Sequence, residues 1–232
     1  MRRSHDRLNE AVAAYAPVAQ EGRDRLFAIA ERTAPYELNL DEGALVLDGH
    51  RFAAALLGSL SRASYTWLWA WANPAIGPDH PTSAASLRLR DEIGPVRGWW
   101  ELEDDAFPLE GVIDAGYGPG ASVASVAATT IGAGAYFGVD YGDGIAYLAI
   151  TDPAVRRTPP SALTLPHRLR TAAAAVPGHA RAQALTYARE HGISADDHGR
   201  SVVLPLADGV VVLEIGADGS LGEIHAATEH SH

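Results

Sequence analysis

Cysteine and lysine are both missing from this chain, and methionine occurs once. Without cysteine there is no disulfide framework, no thiolate nucleophile and no sulfur-ligated zinc or iron–sulfur centre. Without lysine there is no Schiff-base chemistry and no P-loop lysine to grip a phosphate. All 18 basic residues are therefore arginines, set against 29 aspartates and glutamates for a formal net charge of −11. Catalysis, if there is any, falls to serine, threonine, histidine, tyrosine, arginine or the carboxylates. The acidic balance argues against nucleic acid and anionic membranes as partners, since both attract basic surfaces.

Long apolar runs are missing too. No window approaches the ~20 apolar residues of a membrane span, and the basic N-terminus has no signal-peptide apolar region behind it. The expectation is a cytoplasmic protein with no membrane partner. With 232 residues, 47% of them apolar, the chain is long enough to bury a core in one or two domains.

What is present falls into two periodicities. Leu8, Val12, Tyr15, Ala19, Gly22, Leu26 and Ile29 recur at alternating spacings of four and three, the seam of an amphipathic helix over about 4–33. Pro17 and Gly22 are expected to kink or divide it. From Tyr36 the period becomes two, and Asp-Gly pairs at 48–49, 143–144, 208–209 and 218–219 suit tight hairpins that need positive φ. Further helices are predicted at 82–93, 108–115, 122–131, 166–176 and 179–191, the last two separated by Pro177-Gly178. These elements predict an α+β fold, an antiparallel sheet packed against a long N-terminal helix with a smaller C-terminal helix-helix-β-meander module. Three prolines within 151–160 place the linker, giving modules at 1–155 and 160–228. A helix followed by a three-strand meander occurs near 23–60 and again near 181–225, a hint of duplication.

Tyr65, Trp67, Trp69 and Trp71 alternate with smaller groups, so a single strand over these residues would set four large rings on one face. Four rings of about 150–250 Å² each together exceed the ~300–600 Å² of a typical monomer's largest exposed apolar patch, so most of that face must be covered, with the N-terminal helix as the expected cover. The run Gly58-Ser59-Leu60-Ser61, followed by Trp67-Leu68-Trp69-Ala70-Trp71-Ala72-Asn73, resembles an uncharacterised bacterial family of unknown function. In that family a Gly-Ser-x-Ser step precedes a Trp-x-Trp-Ala-Trp-Ala-Asn strand. The resemblance extends over about 20–225 and is specific within 56–74; it implies membership and no activity.

Each candidate chemistry has a plainer reading beside it. The segment 116–122, Gly-Tyr-Gly-Pro-Gly-Ala-Ser, precedes a helix and offers amides to a phosphate, yet it lacks the GxGxxG spacing, and a loop with Ser122 as helix cap fits better. Ser59 and Ser61 lack the Gly-x-Ser-x-Gly elbow of a nucleophile and suit turn capping. Glu101, Glu103, Asp104 and Asp105 have no Asp-x-Asp-x-Asp-Gly loop and suit solvation and capping. No histidines show zinc-helix spacing, including the tail residues His230 and His232. No metal site and no cofactor is expected. Ten carboxylates in 92–152 accompany one arginine, Arg97, whereas six arginines in 156–191 accompany one carboxylate, Glu190.

The first functional expectation is a non-catalytic binding or protein-interaction module of a bacterial accessory system, with another protein as partner. The alternative is a small-molecule-binding protein or hydrolase with a pocket beside the Trp strand, lined by Ser59, Ser61, Trp67, Trp71, Asn73, Glu101 and Glu103. A filled tryptophan face favours the first; a concave cavity of about 300 Å³ or more with converging polar groups favours the second.

Overall fold

In the computed structural model, which describes residues 3–228, the N-terminal apolar seam folds as one helix, α1 (Asp6–Ile29), with Pro17 and Gly22 both inside it. The expected division does not occur. Apolar burial holds the helix across both residues, since Val12, Val18 and Leu26 are all inaccessible or nearly so. Gly22 serves packing, not interruption. A side chain there would run into the main chain of Gly134 and Ala135.

The chain divides into two compact units. The first comprises Gly22–Arg156 and the helix start up to Val12; the second comprises Ala13–Glu21 and the chain from Arg157 onward. No helix among the described residues is long and apolar enough to cross a membrane.

The first unit is an antiparallel sheet. Strands β1 (Tyr36–Asn39), β2 (Ala44–Leu47) and the long β3 (His50–Ser61) form a meander. The turn between β2 and β3 places Asp48 at φ 53° and Gly49 at φ 74°, the two positive φ values that a primed turn demands of an Asp-Gly pair. Strand β4 (Thr66–Trp69) pairs with the far end of β3. The chain then runs through a 3-10 turn (Ala70–Ala72), another at Pro81–Ser83, α2 (Ala84–Arg88), a π-helical turn (Leu89–Ile93), α3 (Gly94–Arg97) and a 3-10 turn at Trp100–Leu102. It returns as β5 (Ala106–Pro108) against β4. Helix α4 (Pro119–Thr130) leads into the hairpin β6 (Ala135–Asp140) and β7 (Gly144–Ile150), and β7 pairs with β3.

Three sequence expectations are corrected here. The tryptophan strand stops at Trp69: Trp71 lies in the 3-10 turn, and Tyr65 sits in the preceding turn at φ 51°. The helix expected at 108–115 is absent, because Phe107 is claimed by the ladder opposite Trp67 and the following turn is pinned by Asn9, whose amide meets Gly111 O at 2.8 Å and Ile113 N at 2.9 Å. The β6–β7 turn takes its positive φ at Gly142 (90°), and Gly144 is already in the strand.

A bulge between Leu56 and Gly58 shifts the pairing of β3 with β7, so that Gly58, Tyr147 and Trp69 come into line across one face. Alternation places Leu148 and Ile150 on the opposite face, where they share a core with Phe52, Ala54, Leu56 and Phe137 and with Leu26 and Ala30 of α1 and the segment after it.

In the second unit, α5 (Leu165–Ala175) and α6 (Ala180–Glu190) flank a turn with Gly178 at φ 80°, as the Pro177-Gly178 signal indicates. A meander follows: β8 (Asp196–Asp197), β9 (Ser201–Leu206), β10 (Gly209–Ile215) and β11 (Leu221–Thr228). Its core is mainly aliphatic, with Leu165, Leu169, Val202, Leu204, Val211 and Leu213 around Tyr187, and takes in Val18 of α1. His230 and His232 lie outside the described residues.

Candidate functional site

The tryptophan face is filled. Trp67 and Trp69 are 0% and 1% exposed. Trp67 stacks on Tyr147 at 5.5 Å and meets Trp69 edge-on at 5.2 Å, while Trp69 packs near Phe107 and donates its indole N–H to Glu101 O at 2.7 Å. Gly58 is the residue that lets this happen: a Cβ there would lie 2.8 Å from the Trp67 ring and 2.5 Å from Leu68 O. The glycine of the Gly-Ser-x-Ser step is thus the floor under an indole. Trp71 is buried in its 3-10 turn with the Arg90 guanidinium 4.6 Å from its ring.

The polar residues proposed from sequence are dispersed. Ser59 is half-buried in β3, opposite Leu68 and Ala146. Ser61 Oγ accepts the Ser64 N–H at 3.3 Å, and Asn73 Oδ1 accepts the Ala75 N–H at 2.9 Å, both local turn bonds. Glu103 is exposed. Glu101 is buried and its Oε1 lies 3.0 Å from Nδ1 of His5, itself stacked on Trp100; Oε2 has no partner among the described residues.

A concave site does exist beside Tyr147. Asp114 Oδ1 accepts the N–H groups of Gly116, Tyr117 and Gly118 at 2.7, 2.8 and 2.7 Å. Gly116 and Gly118 have φ of 102° and 90°, which a side chain would resist. The amides of 116–118 therefore hold the chain's own carboxylate and leave no cradle for a phosphate. Gly118, not Ser122, is the cap position of α4, while Ser122 Oγ accepts the Ala115 N–H at 3.0 Å.

The fixed loop presents the Tyr117 ring to Arg23 of α1, whose guanidinium carbon is 3.3 Å from the ring centroid. Phe27 and Tyr136 add rings at 5.7 Å each, and Arg23 donates to the Tyr136 hydroxyl at 3.2 Å. These groups, with Arg32, Tyr36, Gly138 and Tyr147, line a cavity of about 420 Å³. Tyr36 donates its hydroxyl to Asp140 O at 2.9 Å. The Asp140 carboxylate is gripped by Arg62 at 2.9 and 2.6 Å, and Arg62 together with the Gly142 N–H holds its pKa down at about 2. Burial pushes the Tyr147 hydroxyl up to about 12 and that of Tyr136 in the same direction, so both are neutral donors at neutral pH.

None of the seven sequence candidates lines this cavity. Sequence reading missed Arg23, Arg32, Tyr136 and Tyr147. The available signal was Gly116-Tyr117-Gly118, an aromatic held between two glycines, although nothing local connects it to Arg23.

The second unit holds a different cluster. Glu21 Oε2 is 2.7 Å from His191 Nε2, with side chains 4% and 3% exposed, and Glu21 Oε1 is 3.7 Å from Arg168. Arg168 donates to the Tyr187 hydroxyl at 3.2 Å, and the Tyr187 ring lies 4.4 Å from that of His191. Burial first, then the Glu21 charge, drives the Tyr187 pKa far above its ordinary value. His191 also lines a cavity of about 490 Å³ with Arg157, Pro159, Pro160 and Leu206. Among the described residues no group of three or more histidines or carboxylates is placed to hold a metal ion.

Fold and site together define an α+β module that carries an arginine–tyrosine cavity on an antiparallel sheet. Residues 9–153 match a family described as a family of unknown function (DUF6882), and the chain belongs to that family. The match is narrower than the 20–225 suggested by the motif and ends before Arg157, so α5, α6 and the β8–β11 meander lie outside it. No curated protein and no solved structure matches the chain.

Proposed function

We propose that the protein works by binding rather than by catalysis, and that the unit built on Gly22–Arg156 is its ligand-binding part. The carrying observation is the cavity in which Arg23, with no carboxylate partner among the described residues, is held by the rings of Tyr117, Phe27 and Tyr136. An ion-paired surface arginine would be unremarkable; one clamped by three aromatic rings in a concavity is a preformed docking group. Against a hydrolase stands the arrangement of possible nucleophiles. Among the described residues no histidine nitrogen is hydrogen-bonded to a serine or threonine hydroxyl, the contact that activates such a nucleophile. The setting we infer is the cytoplasm of a bacterium, in keeping with the motif resemblance and the acidic charge.

A calorimetric and thermal-shift screen of neutral aromatics, carboxylates and phosphates tests this reading, run beside generic ester and phosphoester assays. One ligand class is expected to saturate and raise the unfolding midpoint, and Tyr117→Ala, at an exposed ring, to weaken it about tenfold. Turnover of an ester or phosphoester, with no class bound, overturns the reading.

A further inference from the structure

We infer that the cavity takes a small aromatic or heteroaromatic carboxylic acid, its carboxylate on the Arg23 guanidinium with Arg32 as the second positive group and its ring against the tyrosine walls. This rests on the cavity being the ligand site and adds the chemical class. Charge is the first argument. Arg23 and Arg32 form no ion pair with any described residue. The carboxylate among the lining residues, Asp140, is already paired with Arg62, and that of Asp114 accepts three backbone N–H groups. The local balance is therefore positive within a chain of net charge −11, and an anion is what it lacks.

The donor set selects among anions. A phosphate group is best served by the bare amides of a helix start, and at α4 those of 116–118 are occupied by Asp114. What remains is a guanidinium, whose planar fork matches a carboxylate with two parallel bonds. One of its nitrogens is committed to Tyr136. Shape supplies the last argument. Tyr36, Tyr117, Tyr136, Tyr147, Phe27 and Phe137 give the cavity flat apolar walls, and at about 420 Å³ it lies in the lower part of the ~300–1,000 Å³ range of ligand pockets. Flat walls favour a flat ligand, which buries its faces in stacked or edge-on contact.

The test is calorimetric titration of the full chain with four probes: benzoate, its neutral isostere benzamide, its non-planar analogue cyclohexanecarboxylate, and phenyl phosphate. Benzoate is expected to bind at least tenfold more tightly than each of the others. Arg32→Gln changes an exposed side chain, and should weaken benzoate about tenfold while leaving the unfolding midpoint in place. Arg23→Lys keeps the charge, loses the fork and should weaken it similarly. Benzamide or phenyl phosphate binding as well as benzoate, or Arg32→Gln leaving benzoate unchanged, overturns the carboxylate assignment while the cavity stands as a ligand site. Silence from all four probes overturns the assignment; silence across the wider screen overturns the cavity reading as well.

Discussion

Each of the two units buries one histidine–glutamate contact, and the two are completed differently. In the first unit, His5 meets one oxygen of Glu101, the other oxygen has no partner among the described residues, and the imidazole stacks on Trp100 and meets the Phe107 ring at a tilt. In the second, Glu21 bonds His191 with one oxygen and turns the other towards Arg168, which reaches on to Tyr187. The surroundings differ as well. All five tryptophans belong to the first unit, whereas the second relies on leucine and valine around Tyr187. A carboxylate in a dry interior needs a partner for each oxygen, because an unmatched charge there costs several kcal/mol. In the first unit the buried pair is an accessory to ring packing on one face of the sheet and to the mainly aliphatic core on the other. In the second, the polar network is part of the core.

That contrast can be broken at its strongest point by Trp69→Ala, which should cost about 3–5 kcal/mol through loss of an inaccessible indole. Tryptophan emission followed through urea unfolding reads it directly, since all five tryptophans sit in that unit. An unchanged midpoint would show that the rings are not the core.

The comparison is sharpened by changing the two glutamates in the same way. Glu21→Ala leaves His191 and Arg168 without their shared carboxylate and should cost about 3 kcal/mol or more. Glu101→Ala removes one hydrogen bond together with an unmatched oxygen and should cost about 1 kcal/mol. Circular dichroism through the same denaturant series measures both, and equal losses would remove the distinction between the pairs.

The smallest effect concerns the rim of the cavity. The folded-state pKa of Asp140, near 2, lies below its unfolded value, so its stabilising contribution is present above about pH 4 and is lost as pH falls towards 2. Arg62→Gln should move the Asp140 carboxyl back towards the ordinary carboxylate range, followed by NMR titration, and should flatten the acid limb of the stability curve. A carboxyl that stays near 2 would mean that Gly142 alone holds it.

Much of the fold was legible because its signals are local. The alternating apolar spacing marks α1, Asp48-Gly49 marks a primed turn, and Pro177-Gly178 marks the break between α5 and α6. The misreadings arise where a distant partner overrules a local preference. Phe107 extends the sheet against Trp67 where propensity suggested a helix nearby, and Gly22 stays helical because the Gly134 main chain packs on it. The seven candidate site residues are two of the tryptophans and sequence neighbours of these rings, and with the rings buried the polar members lie in a strand, in turns, at the surface or in an interior contact instead of a common pocket.

Composition by itself settled which chemistries the chain can carry, for no folding event creates a thiol or an ammonium side chain where the residue is absent. Local spacing along the chain settled most of the order of helices and hairpins, because those depend on neighbours a few residues apart. Only tertiary structure brought Arg23 of the helix under Tyr117 and set Gly58 beneath Trp67. Such meetings are fixed by where packed elements converge, and no spacing along the chain records them.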